Sequence, residues 1–268
     1  MCDNIKPSFI TLPVELIYRI LDQLDEFAIL SSVCNVCERL NSILDTYNRY
    51  MTITVLDLQK QELDECSLKH LGSVLQNARI TKLSLSFNEI HDEGAEIIGD
   101  ILKKSIALKI LDIGTNDIGI KGTEYLANAL KENMTLTILN LAHNKINAVG
   151  AEYLANALEQ NKGLKTLDLW DNDIGAQKLA KALTNNSVLT ALNIGSNGIG
   201  VSGVQHLVDA LQINCTRQSL NIGWNDFGDE GAKYLIDTYQ RNSTLTMLNL
   251  EDNDFDAVGM QHIANLLQ

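Results

Sequence analysis

Two patterns of apolar positions alternate along the chain from about residue 53 to residue 268. In the first, apolar residues recur at every second position over a short stretch, as at Leu111 and Ile113. A turn containing Asn and often Gly follows. The second pattern has apolar residues at helical spacing, as in GAEYLANAL. A period of two predicts a short strand and the helical spacing predicts a helix, so the sequence predicts repeated strand–turn–helix units.

The units recur in phase. One column holds asparagine in seven successive copies, separated by 28, 28, 28, 25, 28 and 28 residues. An eighth, worn copy precedes them and has Gln61 in this column, and the copy at 164–188 is three residues short. The column consists of Asn88, Asn116, Asn144, Asn172, Asn197, Asn225 and Asn253. Regular spacing of this kind indicates a stacked repeat architecture.

A single unit cannot bury its own apolar edge, so the units must stack. Stacking places the strands in a parallel sheet on the inner face and the helices outside. Because a helix is wider than the roughly 4.8 Å between strands, the stack curves into a horseshoe. We expect each column asparagine to satisfy buried peptide groups where the chain turns after its strand, because an amide both donates and accepts.

This pattern resembles the leucine-rich repeats of the ribonuclease-inhibitor type, which also occur in innate immune receptors and Ran GTPase-activating proteins. The resemblance covers about four-fifths of the chain. It implies an α/β solenoid of about eight repeats that binds another macromolecule. A fold alone does not assign a function.

Residues 1–50 do not follow the repeat and predict three short helices. Thr11 can cap the first, with Pro13 in its first turn. A core of this size usually needs a partner or a neighbouring domain to bury its remaining apolar surface. We therefore predict a helical unit over 1–50 and a repeat domain over 51–268. The apolar stripe of the first helix consists of Leu16, Ile20, Leu21 and Leu24.

The N-terminal segment resembles an F-box. The matching features are Leu12-Pro13-x-Glu15-Leu16, Ile20-Leu21-x-x-Leu24-Asp25, Leu30 and Val36-Cys37, and Leu40 stands where the family commonly has Trp. The resemblance implies that this unit binds the Skp-type adaptor of a cullin-based ubiquitin ligase while the repeats select a protein substrate. The adaptor-binding residues it implies are Leu12, Pro13, Leu16, Ile20, Leu21, Leu24, Leu30, Val36, Cys37 and Leu40.

Other functions stay open at this point. The N-terminal helices could serve only to cap the first coil of a free-standing scaffold or immune-type regulator, since any repeat stack needs a cap. A GTPase-activating protein is a third class. F-box proteins also include effectors that intracellular bacteria secrete to exploit a host ligase, and the sequence leaves the origin open.

Charge and cysteine content narrow the partners and the compartment. The net charge is −13 and the pI is about 4.7, so the surface repels nucleic acids and anionic membranes and favours basic proteins. The sequence has no apolar run long enough to span a membrane, so we expect no membrane span. We also expect its N-terminus to lack a secretory signal. Its five scattered cysteines fit reduced thiols in a cytosol-like compartment. We expect a cytoplasmic protein, in the host cytosol if it is a secreted effector.

Motifs for catalysis are missing from the sequence. It contains no Walker-type loop, nucleophile elbow or H-E-x-x-H motif. Cys34 and Cys37 form a CxxC, but the second ligand pair that a zinc site needs does not follow. Three of the five histidines share one helix column with tyrosines, which indicates packing. We expect a non-enzymatic protein without metal or cofactor.

The inner face carries the remaining functional signal. Residues between the buried leucines of each strand point to this side. Both tryptophans of the chain fall next to the asparagine column, and carboxylates surround them. Exposed Trp among carboxylates predicts an anchor for a partner with basic and apolar groups. The predicted substrate-binding residues are Phe87, Asp112, His143, Asp168, Trp170, Asp171, Asn193, Asn221, Trp224, Glu251 and Asp252.

Overall fold

The structure is a computed structural model that describes residues 13–23, 54–63, 65–77, 80–214, 216, 218–239 and 242–266. Six of the residues predicted to bind an adaptor lie outside the described residues, as do the second and third predicted N-terminal helices. These six are Leu12, Leu24, Leu30, Val36, Cys37 and Leu40.

Short strands and longer helices alternate through the repeat region. Each strand has three residues, with leucine in the middle. The strands are β1 (Val55–Asp57), β2 (Lys82–Ser84), β3 (Ile110–Asp112), β4 (Ile138–Asn140), β5 (Thr166–Asp168), β6 (Ala191–Asn193), β7 (Ser219–Asn221) and β8 (Met247–Asn249). The helices are α1 (Val14–Leu21), α2 (Glu65–Asn77), α3 (His91–Lys104), α4 (Ile120–Glu132), α5 (Asn147–Gln160), α6 (Gln177–Asn185), α7 (Gly200–Ile213), α8 (Gly228–Tyr239) and α9 (Ala257–Leu266).

The strands form one parallel sheet in which β1 to β8 follow each other in chain order. The register pairs every strand residue with its equivalent in the next repeat, as Leu111 pairs with Leu139 and Leu139 with Leu167. Successive helices pack against each other on the other side of these leucines. The predicted eight-strand α/β solenoid is therefore confirmed.

The asparagine column forms a continuous ladder of hydrogen bonds through most of the stack. Asn116 donates from Nδ2 to the carbonyls of Leu85 and Gly114, each at 3.0 Å. Its Oδ1 accepts the backbone N–H of Asn88 at 2.9 Å. Each side chain thus satisfies peptide groups of its own repeat and of the preceding one. The predicted backbone role of this column is confirmed.

A second asparagine ladder joins the units where each helix ends. Asn161 donates from Nδ2 to the carbonyls of Leu130 and Asn133, at 2.6 and 2.8 Å, and accepts the N–H of Leu164 at 2.8 Å. The C-terminal ends of α4 to α8 are therefore tied to the preceding unit. The ladder consists of Asn133, Asn161, Asn186, Asn214 and Asn242.

The shortened repeat loses residues from its helix and keeps its strand. Helix α6 has 9 residues, whereas α5 and α7 have 14 each. Strand pairing continues undisturbed, with Leu167 opposite Leu192. The deletion opens two grooves of about 460 and 390 Å³ on the outer face, both lined by Lys178 and His206.

Helix α1 differs from its prediction in two details. Pro13 occupies the N-cap position, just before the first turn. The buried face consists of Ile17 and Leu21, both fully buried in the same apolar cluster as Leu56. Leu21, one of the residues predicted to contact an adaptor, thus belongs to the core. The buried side of α1 includes Ile17 and Leu21 but not Leu16. Leu16 is 43% exposed.

Candidate functional site

Three rows of residues build the inner face. The middle residue is buried in β1 to β7 and half-buried in β8, so the first and third residues point to the inner side. We call these two sets the first row and the third row. The rim row is the residue that precedes each column asparagine. The third row consists of Asp57, Ser84, Asp112, Asn140, Asp168, Asn193, Asn221 and Asn249.

Four of the predicted substrate-binding residues lie in the third row and share a backbone contact. The side-chain oxygen of Asp112 accepts the N–H of Gly114 at 3.1 Å. The same bond, two residues onward, forms at Asp168, Asn193 and Asn221. This contact fixes one polar atom of each side chain at the turn.

Five more predicted residues lie in the rim row, where the backbone is left-handed. The φ angle is 61° at Phe87 and 59° at Trp224. Non-glycine residues adopt this conformation only a few per cent of the time. Here the turn that precedes each column asparagine requires the left-handed conformation in every repeat from Phe87 to Asp252. The other three predicted members are His143, Asp171 and Asp252, with φ between 49° and 54°.

Several rim residues contact their neighbours. The Nδ1 atom of His143 lies 2.9 Å from Oδ2 of Asp171 in the next repeat. The ammonium group of Lys60 lies 5.1 Å from the ring centre of Phe87, a cation–π distance. Phe87 is nevertheless 50% exposed. The rim thus offers an aromatic surface that a partner can reach.

The two tryptophans have different environments. Trp224 is 51% exposed. Trp170 is half-buried, and its six-membered ring lies over Gly195, where a Cβ atom would overlap it. The glycine leaves the space that the indole occupies. Glu251, the last predicted residue, is exposed after β8 in the position equivalent to Trp170.

Five segments of the chain match a family model described as a leucine-rich repeat. They span residues 76–99, 132–155, 185–208, 214–235 and 241–264. These five segments are leucine-rich repeats. Among curated proteins, none matches the chain.

Solved structures share the leucine-rich-repeat fold. The leucine-rich repeat-containing protein LegL7 from Legionella pneumophila is similar with a TM-score of 0.53 and 20% identity, over 77% of this chain and 69% of that chain. At this identity the likeness shows the fold alone. The actin-binding site 2 of leiomodin-1 is matched with a TM-score of 0.48 and 22% identity, over 55% of this chain and 87% of that chain.

Leucine-rich repeats form scaffolds for protein–protein interaction, and the chain is a scaffold of this kind. The repeat resemblance of the sequence is confirmed; the F-box-like unit stays a prediction. Across the described residues, no group of His, Cys, Asp and Glu side chains could hold a metal ion. Helices long and apolar enough to cross a membrane are likewise missing from the described part of the chain.

The leucine-rich-repeat face is acidic at its C-terminal end. From β5 to β8 the first row, the third row, the rim row and the residues between them contain no Lys, Arg or His. Asp168, Asp171, Glu251 and Asp252 contribute carboxylates. Together with the exposed indole of Trp224, this surface suits a partner with basic and apolar groups.

Proposed function

We propose that the chain is the substrate-recognition subunit of a cullin-type ubiquitin ligase. In this proposal, residues 1–50 bind a Skp-type adaptor and the inner face of the repeats binds a protein substrate with a basic surface. The complex would form in the cytoplasm, or in the host cytosol if the chain is a bacterial effector. The observation that carries the proposal is the division of α1 into a buried and an exposed apolar side.

The two sides of α1 fit two different contacts. Ile17 and Leu21 are buried in the core cluster. Leu16 is exposed and Ile20 is half-buried. These two are four residues apart, so they lie on one side of the helix. Both also belong to the F-box-like motif. A helix that leaves motif leucine and isoleucine side chains accessible can dock a partner without opening the core.

We expect Leu16→Glu to weaken adaptor binding at least tenfold and to leave thermal unfolding unchanged. The charge would be placed against an apolar partner surface, whereas Leu16 contributes little to the core. Pull-down of purified chain with a Skp-type adaptor measures the effect, with a 1:1 complex expected for the wild type. Asn156→Asp is the control, because this exposed residue of α5 gives the same charge change away from α1. Failure of the wild type to bind at micromolar concentration would reject the proposal.

A second candidate is a leucine-rich-repeat scaffold whose N-terminal helices only cap the solenoid. The full burial of Ile17 and Leu21 in the cluster that contains Leu56 and Leu58 favours it. Deletion of residues 1–50 would then expose the first coil and lower the stability of the repeats, while the intact chain would show no adaptor binding. Both measurements use the same protein preparations as the adaptor test.

Substrate capture should depend on Trp224. Its exposed indole is the type of side chain that dominates binding energy at protein interfaces. We expect Trp224→Ala to weaken substrate binding by about 2 kcal/mol or more, without loss of stability. Trp170→Ala is the contrast, because it uncovers Gly195 and should lower the unfolding midpoint. Affinity capture with both variants, followed by quantitation of the captured proteins, measures the effect. Retention of every captured protein by Trp224→Ala would contradict the prediction.

A further inference from the structure

Three asparagines of the third row present unused hydrogen-bond donors. Asn193, Asn221 and Asn249 each accept a backbone N–H through Oδ1, at 3.1, 3.0 and 2.9 Å. The accepted N–H fixes the amide orientation, because only the oxygen can face it. Each Nδ2 group therefore points away from the turn. Within the described residues none of these three groups has a partner, whereas Nδ2 of Asn140 donates to Asp112 at 2.9 Å.

The three donors line one depression in the inner face. Its volume is about 320 Å³ and it extends over β5 to β8. Small side chains form its floor, among them Ala191 and Ser219, and Met247 stands 65% exposed at one end. The indole of Trp170, lying over Gly195, borders the same row. A ligand that enters this depression meets amide donors beside apolar surface.

The surrounding charge determines what these donors can bind. Asp168 lies at one end of the row, and Glu251 and Asp252 follow the last strand. Carboxylates repel an anionic ligand, so a phosphate or carboxylate oxygen is disfavoured here. The acceptors must be neutral oxygens. The peptide carbonyl is the strong neutral acceptor that every protein partner carries, and basic side chains next to it would meet the carboxylates.

The spacing of the donors selects a backbone conformation. Adjacent strands lie about 4.8 Å apart, so Asn193 and Asn249 are separated by about 9.6 Å. A polyproline II helix advances about 9.3 Å over three residues and has no internal hydrogen bonds, so its carbonyls are available. A β-strand repeats on one side every 6.6 Å or so, which matches neither one strand spacing nor two. In an α-helix the carbonyls are already used.

We propose that the donor row, formed by Asn193, Asn221 and Asn249, binds an arginine-containing, proline-rich segment of a partner protein in the polyproline II conformation. The segment crosses β6 to β8. Carbonyls three residues apart accept from Asn193 and Asn249, and its arginines face Asp168 and Glu251. This inference rests on the proposed binding of a protein substrate by the inner face, and it adds the backbone conformation and composition of the bound segment.

The decisive variant is Asn193→Asp combined with Asn249→Asp. Aspartate already makes the same turn contact at Asp112 and Asp168, so the fold tolerates it. The change removes two donors and adds two negative charges. A capped peptide of four Pro-Pro-Arg triplets is the probe, titrated by calorimetry. We expect the variant to bind it at least tenfold more weakly than the wild type, although added charge alone would strengthen binding.

Two controls separate the donors from general electrostatics. Asn128→Asp combined with Asn156→Asp adds the same charge on exposed helix positions and should leave binding within about twofold of the wild type, because exposed charges at that distance are screened. A peptide of four Gly-Gly-Arg triplets keeps the charge without the polyproline II preference and should bind at least tenfold more weakly.

Three results would overturn the inference. They are a wild type that does not bind the Pro-Pro-Arg peptide, an Asn193→Asp/Asn249→Asp variant that binds it equally or more tightly, and equal affinity for both peptides. Adaptor pull-down on the same proteins separates the two proposals. Adaptor binding without peptide binding rejects only this inference, and peptide binding without adaptor binding rejects only the ligase role.

Discussion

Replacing Leu139 with alanine is expected to lower the free energy of unfolding by about 4 kcal/mol, within the range for leucine-to-alanine changes in cores. Leu139 is fully buried at the centre of β4. Leu111 and Leu167 flank it in register, and both belong to strands held by the ladders. The neighbouring repeats therefore cannot collapse into the cavity. Urea denaturation followed by circular dichroism measures the change.

Ile138→Ala is the matched control, one residue earlier in the same strand. Ile138 lies in the first row and is half-exposed. Removing its side chain leaves no closed cavity, so we expect a loss of about 1 kcal/mol or less. Equal losses for the two variants would contradict the assignment of first-row residues to the inner face.

The repeat architecture was predictable because the same physical requirement recurs in every unit. The worn first copy shows why one substitution does not break it. The N–H of Gln61 is accepted by Oδ1 of Asn88 at 2.8 Å, and the Gln61 amide donates to the carbonyl of Gln59. The bond between the first two units thus depends on the side chain of the second. Glutamine can therefore replace asparagine in the first copy, because this bond uses only its backbone N–H.

The orientation of α1 could not be predicted from its apolar pattern. Val14, Leu16, Ile17, Ile20 and Leu21 surround much of a helix of only 8 residues. With so many apolar positions, spacing alone does not say which side is buried. Tertiary packing selects Ile17 and Leu21. The F-box-like motif marks Leu16 and Ile20 as well as Leu21, so motif membership and exposure are separate properties here.

The inner face was predictable in position and less so in detail. Alternation identified the third row, but not that some amides are paired and others are free, because this depends on which residue stands in the next strand. Asn140 meets Asp112, whereas Asn221 lies between two other asparagines. The different environments of the tryptophans had one signal in the sequence. Gly195 is the residue equivalent to Trp170 in the following repeat, and it leaves room for the indole.

Asn225→Ala is the second substitution with a large expected effect. Asn225 is fully buried, and its Nδ2 donates to the carbonyls of Ile194 and Ile222, both at 3.0 Å. Its Oδ1 accepts the N–H of Asn197 at 2.9 Å. Alanine would leave these groups buried without partners. An unsatisfied buried group costs about 1–3 kcal/mol, so we expect a total loss of about 3 kcal/mol in the free energy of unfolding.

Asn172→Ala tests whether the bonds that a ladder asparagine donates or those that it accepts contribute more to stability. Asn172 is buried in the same column and donates to the carbonyls of Leu141 and Trp170, at 2.9 and 3.1 Å. Its Oδ1 is the buried side-chain oxygen without a partner in the described part of the chain. Alanine there orphans the carbonyls but no N–H, so we expect a loss about 1 kcal/mol smaller than for Asn225→Ala. Equal losses in urea denaturation would mean that the carbonyls alone carry the cost. A smaller loss at Asn172 would show that the accepted N–H groups carry a substantial part of it, because a carbonyl can bond elsewhere through its second lone pair and an N–H cannot.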